Sequence, residues 1–363
     1  MLTTAEAIEQ LLPGRRVQAV ELLRSSDRSS VERVLLSPRK GCTDRVVVKR
    51  FLASSGFAAE AAALSVVATD LPVPTLIAED QAEKIVVMTD VGVGPSVADA
   101  LLGADPVAAE KSLGGWCDAL AEVHRATTDL RSTFAAAVAK RDPDASVTID
   151  PMSGWLAGVS DALRTCEADL EIPGEVEDEL LVLGAQFGSE RWQALSPGDT
   201  CPDNNVIIGP RLFLVDFEEA AFRHVAWDLA YLRVPWPSCW CAWAIPEPVG
   251  SAALGRYFAS MNGTIVGADR AVFDEVVAQA TVAWALISAS WFLPSALKRD
   301  DTIGPPGFTA PPRRATVLHR FRVAADTAES RGYHSLGSAA RSWERVLERM
   351  WGPQNLPTAP ALR

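Results

Sequence analysis

Between Val17 and Met88 the chain carries five short valine-rich segments, VQAVELL, VERVLL, RVVVKRF, TLIAE and KIVVM. Only one convincing helix, GFAAEAAALSVVA at 56–68, interrupts them before Leu71-Pro72 stops it. β-Branched residues pack well on a pleated surface and lose rotamer freedom in a helix, so these segments predict strands. Five strands with one inserted helix predict a small antiparallel sheet with that helix packed on it. A short amphipathic helix is expected at 4–12. Gly92 and Gly94-Pro95 then punctuate the chain. Beyond them, apolar residues recur at helical spacing over 106–128, 154–170, 177–187, 270–292 and 316–349. One break, 195–218, reads as a loop, the strand NVII, a Gly209-Pro210 turn, the strand LFLV and a second loop. The expected class is α+β, with a small lobe over 1–92, a linker at 93–96 and a larger helical lobe over 97–363.

The 363 residues exceed a usual domain of roughly 100–200, which suits two lobes. Apolar residues at 48% and charged residues at 22% exclude wholesale disorder. The formal charge of −12 has the wrong sign for a general nucleic-acid binder. It suits a cationic small ligand, or serves ordinary solubility. Cysteines stand scattered at 42, 117, 166, 201, 239 and 241, and the start MLTTAEAIEQLLPG has neither a basic n-region nor an apolar h-region. The reading is a cytoplasmic chain whose cysteines are free thiols. Cys239 and Cys241 form C-x-C without an adjacent histidine, and His124, His224, His319 and His334 show no ligand spacing, so neither group predicts a metal site. The most membrane-like stretch, Val277–Pro294, is interrupted by Gln279, Thr281, Ser288 and Ser290 and reads as a buried helix, not a membrane span.

The break at 195–218 gathers chemistry. Asp199 and Asn204 precede the expected hairpin and Asp216 follows it. Antiparallel strands bring the outer ends of a hairpin side by side, so Asn204 and Asp216 should be neighbours with Asp199 on the adjoining loop. Two carboxylates and an amide offer hard oxygen ligands for Mg²⁺ and a spare carboxylate as base. Asp and Asn also cap turns routinely, and that alternative stands beside the functional one. In the small lobe, Lys49 sits in an apolar strand on the same face as Val47 and Phe51, either snorkelling from an edge or aimed into a cleft. Glu60, eleven residues on, is placed to neutralise it.

These blocks, in this order from about Val17 to Leu232, resemble the aminoglycoside phosphotransferase family, which implies a bilobal protein-kinase-like fold. VVVKRF resembles the strand bearing the nucleotide-binding lysine, here Lys49, and EAAAL the helix bearing its partner, here Glu60. VVMTDVG is similar to the hinge, which implies Met88 as gatekeeper and the backbone of Thr89 and Val91 against adenine, with Val47 lining the same site. PGDTCPDNN resembles the catalytic loop, implying Asp199 as base and Asn204 as metal ligand. VDFEEA is similar to the metal-binding block, implying Asp216 as main ligand. AWDLAYL resembles a block in which Asp228 braces the catalytic loop, and LAEVHRAT one in which His124 is structural. The chain departs from the family twice. Pro197 replaces the histidine that opens the catalytic loop, and LLRSSDRSSVERVLL has no glycine where phosphates are covered. Its serines, Ser25, Ser26, Ser29 and Ser30, offer hydroxyls instead, with Ser29 and Ser30 the foremost candidates, or simply form a polar turn.

The resemblance implies transfer of the γ-phosphoryl group of ATP or GTP, with Mg²⁺, to a hydroxyl of a small molecule. An antibiotic of aminoglycoside, macrolide or nucleoside type is the leading acceptor, for resistance or self-protection. A metabolic acceptor such as an amino sugar, choline or homoserine is the alternative, and a nucleotide-binding pseudokinase is a third. Trp236, Trp240 and Trp243 in PWPSCWCAW, with Trp284 and Trp291, either line an aromatic acceptor pocket that would suit a cation or fill the core. The segment 298–314 reads as a long loop of the kind that binds or covers ligands, with Asp300 and Asp301 as surface charge or cation contacts.

Overall fold

The computed structural model describes residues 2–41, 43–52, 56–143, 151–168, 170–261, 269–302, 304 and 307–363. The chain opens with helix α1 (Thr4–Leu11), whose capping box pairs Thr3 with Glu6. Strands β1 (Val17–Ser25), β2 (Ser29–Leu36) and β3 (Arg45–Phe51) follow, then helix α2 (Phe57–Val66), then β4 (Leu76–Asp80) and β5 (Ile85–Thr89). All five strands join one antiparallel sheet in the order β1-β2-β3-β5-β4. Period-two alternation divides its faces. Val34, Leu36, Val46, Val48, Ile85 and Val87 form a back layer closed by Ala7 and Ile8 of α1.

Helix α2 is buried nearly all round, because its alanines let neighbouring backbones approach closely. Glu60 is carried into the interior with them. The connection after β5 is held on both sides. Arg33 donates from Nε to Asp90 Oδ2 (2.8 Å) and from Nη2 to the carbonyl of Gly92 (3.2 Å). Ile207 donates its backbone N–H to Pro95 O at 2.8 Å, and a Cβ on Gly94 would lie 2.0 Å from Ile207 O, so only glycine fits there.

The helical body begins with α3 (Val97–Leu102) and α4 (Pro106–Thr127), the latter capped by Asp105 with proline at its first position. Helices α5 (Arg131–Arg141), α6 (Pro151–Ala157), α7 (Val159–Arg164) and α8 (Gly174–Ala185) lead to strand β6 (Gln193–Ser196). The hairpin β7 (Asn205–Ile208) and β8 (Arg211–Leu214) follows, then β9 (Ala221–His224), which pairs antiparallel with β6. Helices α9 (Ala226–Leu229), α10 (Glu247–Ser260), α11 (Arg270–Lys298), α12 (Arg313–Ser330) and α13 (His334–Trp351) complete the chain. The fold is α+β, as expected.

Several local expectations need correcting. The helix expected over 316–349 is two, because Gly332 adopts φ +81° and turns the chain between α12 and α13. The segment 154–170 likewise divides into α6 and α7. Strands β6 and β9 and helices α3, α5 and α10 were not anticipated. Helix α11 is long and apolar enough to cross a membrane, but 83% of its most apolar window is buried inside this fold.

Candidate active site

Lys49 lies in the middle of the sheet, opposite Val31 on β2 and Val86 on β5. It is only 3% exposed, and its Nζ meets Glu60 Oε2 at 2.7 Å, Asp216 Oδ1 at 2.6 Å and Glu218 Oε2 at 3.0 Å. Burial would lower the ammonium's pKa, but the three carboxylates more than reverse this and hold it above lysine's ordinary value. Glu60 is pushed up to about 7, since burial and the nearby Asp216 outweigh the attraction of Lys49. Lys49 thus meets three carboxylates, of which Glu218 also pairs with Arg28, and negative charge remains in surplus at the inner end of a cleft.

That cleft has a volume of about 190 Å³ and is faced by Val31, Val47, Lys49, Met88, Thr89 and Val91. Asn204 and Asp216 form its floor. Ser29 also lines it, joined by Ser26, whereas Ser30 does not. The reason is the pleat: Ser29, Val31 and Arg33 share one face, and Ser30, opposite Arg50, belongs to the other. The expectation for Ser30 is therefore corrected.

The hairpin joins the two halves of the floor as anticipated, since Val215 donates its N–H to Asn204 O at 3.1 Å. Asn204 Nδ2 donates to the carbonyl of Asp199 at 2.9 Å, which leaves its Oδ1 free of that bond. Asp216 adopts φ +67°, a left-handed conformation that aspartate tolerates better than most residues. An amide oxygen and a carboxylate beside surplus negative charge form the hard-oxygen set that Mg²⁺ favours, so Asn204 and Asp216 fit this ion.

Asp199 follows β6 on a turn made possible by Gly198 (φ +88°), where a Cβ would lie 1.8 Å from Glu219 O. Its Oδ1 accepts from Ser238 Oγ at 2.8 Å. Burial raises its pKa above the ordinary carboxylate value, with Asp216 and Asp203 adding to the rise against the Ser238 hydrogen bond. A carboxylate shifted in this direction is better suited to take up a proton.

Residues 23–261 match the profile of the phosphotransferase enzyme family. The chain belongs to that family. It is a phosphotransferase of small molecules, with a protein-kinase-like fold. Its fold is similar to that of an ethanolamine kinase from Plasmodium vivax (9% identity, TM-score 0.55, 88% of this chain and 86% of that one). It is also similar to a choline kinase from Cryptosporidium parvum (11% identity, TM-score 0.53, 92% and 98%). A weaker likeness is to an aminoglycoside phosphotransferase solved with AMP-PNP and hygromycin B (13% identity, TM-score 0.45, 95% and 99%). None of the curated proteins matches the sequence.

The loop of this phosphotransferase that carries Asp199 is braced from below. Asp228, fully buried, accepts from Ser196 Oγ (2.9 Å), from Arg223 and from His124 Nε2 (3.2 Å), and His124 Nδ1 in turn meets Tyr257 OH at 2.8 Å. Ser196 also takes the N–H of Gly198 at 3.0 Å, so the brace reaches the turn that presents Asp199 even with Pro197 in place of a histidine. Burial would raise the Asp228 pKa, but Arg223 and His124 bring it down to about 2, below the usual 3.8. A depressed carboxylate stabilises the fold above its unfolded pKa and loses that contribution as pH falls from about 4 to 2, here on the order of 2 kcal/mol. Asp228→Asn removes the buried carboxylate that meets both Arg223 and His124, and we expect a cost of about 3–5 kcal/mol at pH 7 that shrinks at pH 3, read by urea melts.

One further expectation is corrected. Cys201 and Cys239 form a disulfide, because the fold brings residues 38 apart in sequence to a Cα separation of 6.0 Å. Cys117 and Cys241 are free, and Cys42 lies outside the described residues. Asp199, Cys201 and Cys239 come within 4.8 Å of one another, but paired sulfurs offer no thiolate to a metal. Of the five tryptophans, Trp236, Trp243 and Trp284 are core, Trp291 is exposed, and Trp240 stands by the loop that carries Asp199, donating from Nε1 to Asp203 Oδ2 at 3.1 Å. Asp301 is engaged by Arg299 (2.5 Å) and Arg313 (2.7 Å), and the exposed Asp300 accepts the N–H of Arg314 through Oδ1. Glu218 and Ser238 were not anticipated; the only available hint to the first was a second carboxylate two residues after Asp216.

Proposed function

We propose that this phosphotransferase moves the γ-phosphoryl group of ATP to a hydroxyl of a small molecule in the cytoplasm. The observation carrying this reading is the convergence of Lys49, Glu60, Asp216 and Asn204 at one end of a cleft whose other end is apolar, with Asp199 adjoining through its carbonyl's bond from Asn204. Val47, Met88 and the backbone at Thr89 and Val91 offer a flat purine an apolar slot. Lys49, held by Glu60, is placed for the α- and β-phosphates, and Ser26 and Ser29 for the outer phosphates. Asp216 and Asn204 would hold Mg²⁺, which supplies neutralisation of phosphate charge when bound. Asp199 orients the acceptor hydroxyl and takes its proton. The hydroxyl oxygen bonds to the γ-phosphorus as the bond to the β–γ bridging oxygen breaks, and ADP leaves.

The test is a coupled ADP-release assay with magnesium and either ATP or GTP. Its acceptor panel holds aminoglycosides, macrolides, nucleoside antibiotics, amino sugars, choline, homoserine and hydroxy acids. We expect acceptor-dependent ADP release with ATP preferred. An antibiotic among the productive acceptors would support a role in resistance or self-protection. Tight ATP binding without turnover on any member would overturn the transferase reading in favour of a pseudokinase.

A further inference from the structure

Ser238 and Trp240 touch the catalytic loop on one side, at Asp199 and Asp203, and on the other line a second cavity of about 90 Å³. The cavity is large enough for a carboxylate on a short carbon chain. Its remaining wall includes Phe292, Arg313, Thr316 and Arg320. Arg320 is 1% exposed and donates to the carbonyls of Ser288 (3.1 Å) and Pro237 (2.9 Å), with its guanidinium 4.6 Å from the centre of the Phe292 ring. Its Nε is buried without a hydrogen-bond partner, and among the described residues no carboxylate pairs with it. Burial brings its pKa down to about 9, the direction expected of a cation with no anion beside it. Arg313 meets Asp301, yet its own Nε is also buried and unpartnered.

A buried guanidinium without a counter-ion is costly, and a planar carboxylate is the group its fork of donors fits best. We propose that the acceptor seats a carboxylate in this cavity against Arg320 and Arg313, with its hydroxyl toward Asp199. The phosphotransferase would thus act on a hydroxy acid and not on a polycation. This rests on the transferase reading above and adds the acceptor's charge to it.

Matched pairs separate charge from shape. Glycerate and gluconate are compared with their methyl esters, and kanamycin serves as the polycation. Isothermal titration on the full chain should show the acids binding at least about tenfold more tightly than the esters. Arg320→Met should collapse that ratio toward one, and Arg320→Lys should restore part of it. Should Arg320→Met fail to fold, Arg313→Gln at the cavity's lip carries the same comparison. In turnover, the arginine variants should raise KM for the acid about tenfold with kcat within threefold. Esters or kanamycin binding as well as the acids, or a ratio unmoved by either arginine, would overturn the assignment. Acid-selective binding with no ADP release would instead count against the transferase reading and leave the cavity's charge preference standing.

Discussion

Asp199→Asn should lower kcat by about 10³-fold or more while leaving the affinity for ATP within threefold of the parent. General-base assistance contributes on the order of 10²–10⁴-fold, and orienting the hydroxyl adds to it. The side chain of Asp199 touches Ser238 and not Lys49, so its amide leaves the cluster that would meet the nucleotide intact. Asparagine keeps an acceptor for the Ser238 hydroxyl, and the loop should stay in place on its Ser196–Asp228 brace. The measurement is steady-state ADP release beside calorimetric nucleotide binding. Normal turnover by the variant would remove Asp199 from its assigned role, and a parallel loss of nucleotide binding would show a collapsed loop instead.

Lys49→Met should have two consequences that a second substitution separates. It takes the shared cation from Glu60 and Asp216, leaving Glu218 with Arg28, and breaking a buried pair in this way costs about 3–5 kcal/mol. It also removes the donor assigned to the nucleotide phosphates, which should lower kcat/KM by about 10²–10³-fold. Adding Glu60→Gln to Lys49→Met relieves the buried charge and should recover much of the lost melting temperature, yet none of the activity. Recovery of activity in the double variant would mean that Lys49 serves the fold alone.

Much of this could be read before any coordinates. Valine runs and the pleat's alternation put Lys49 and Val47 on one face, and a single helix carried Glu60 to them. Asn204 and Asp216 follow from the geometry of any tight hairpin. The same alternation, applied to β2, would have separated Ser29 from Ser30, but a glycine-free turn gave no fixed register from which to count. The Cys201–Cys239 pairing, the four-residue strands β6 and β9, and the approach of Arg320 to Pro237 are all long-range outcomes. Composition and local period carry no record of such contacts. Nor does periodicity distinguish one long helix from two joined at a turn such as that at Gly332 between α12 and α13.

The doubly held connection at 90–97 bears on how ligands come and go. Swinging the sheet away from the helical body at this connection would break either the bonds of Arg33 to Asp90 and Gly92 or the bond of Ile207 to Pro95. By contrast, the turn between β1 and β2 is tied across the cleft by Arg28 to Glu218 at 3.2 Å, and Arg28 is 61% exposed. An ion pair so open to solvent is worth only about 0–1 kcal/mol. Traffic should therefore pass beneath a light flap at the sheet's edge, over a frame that stays rigid.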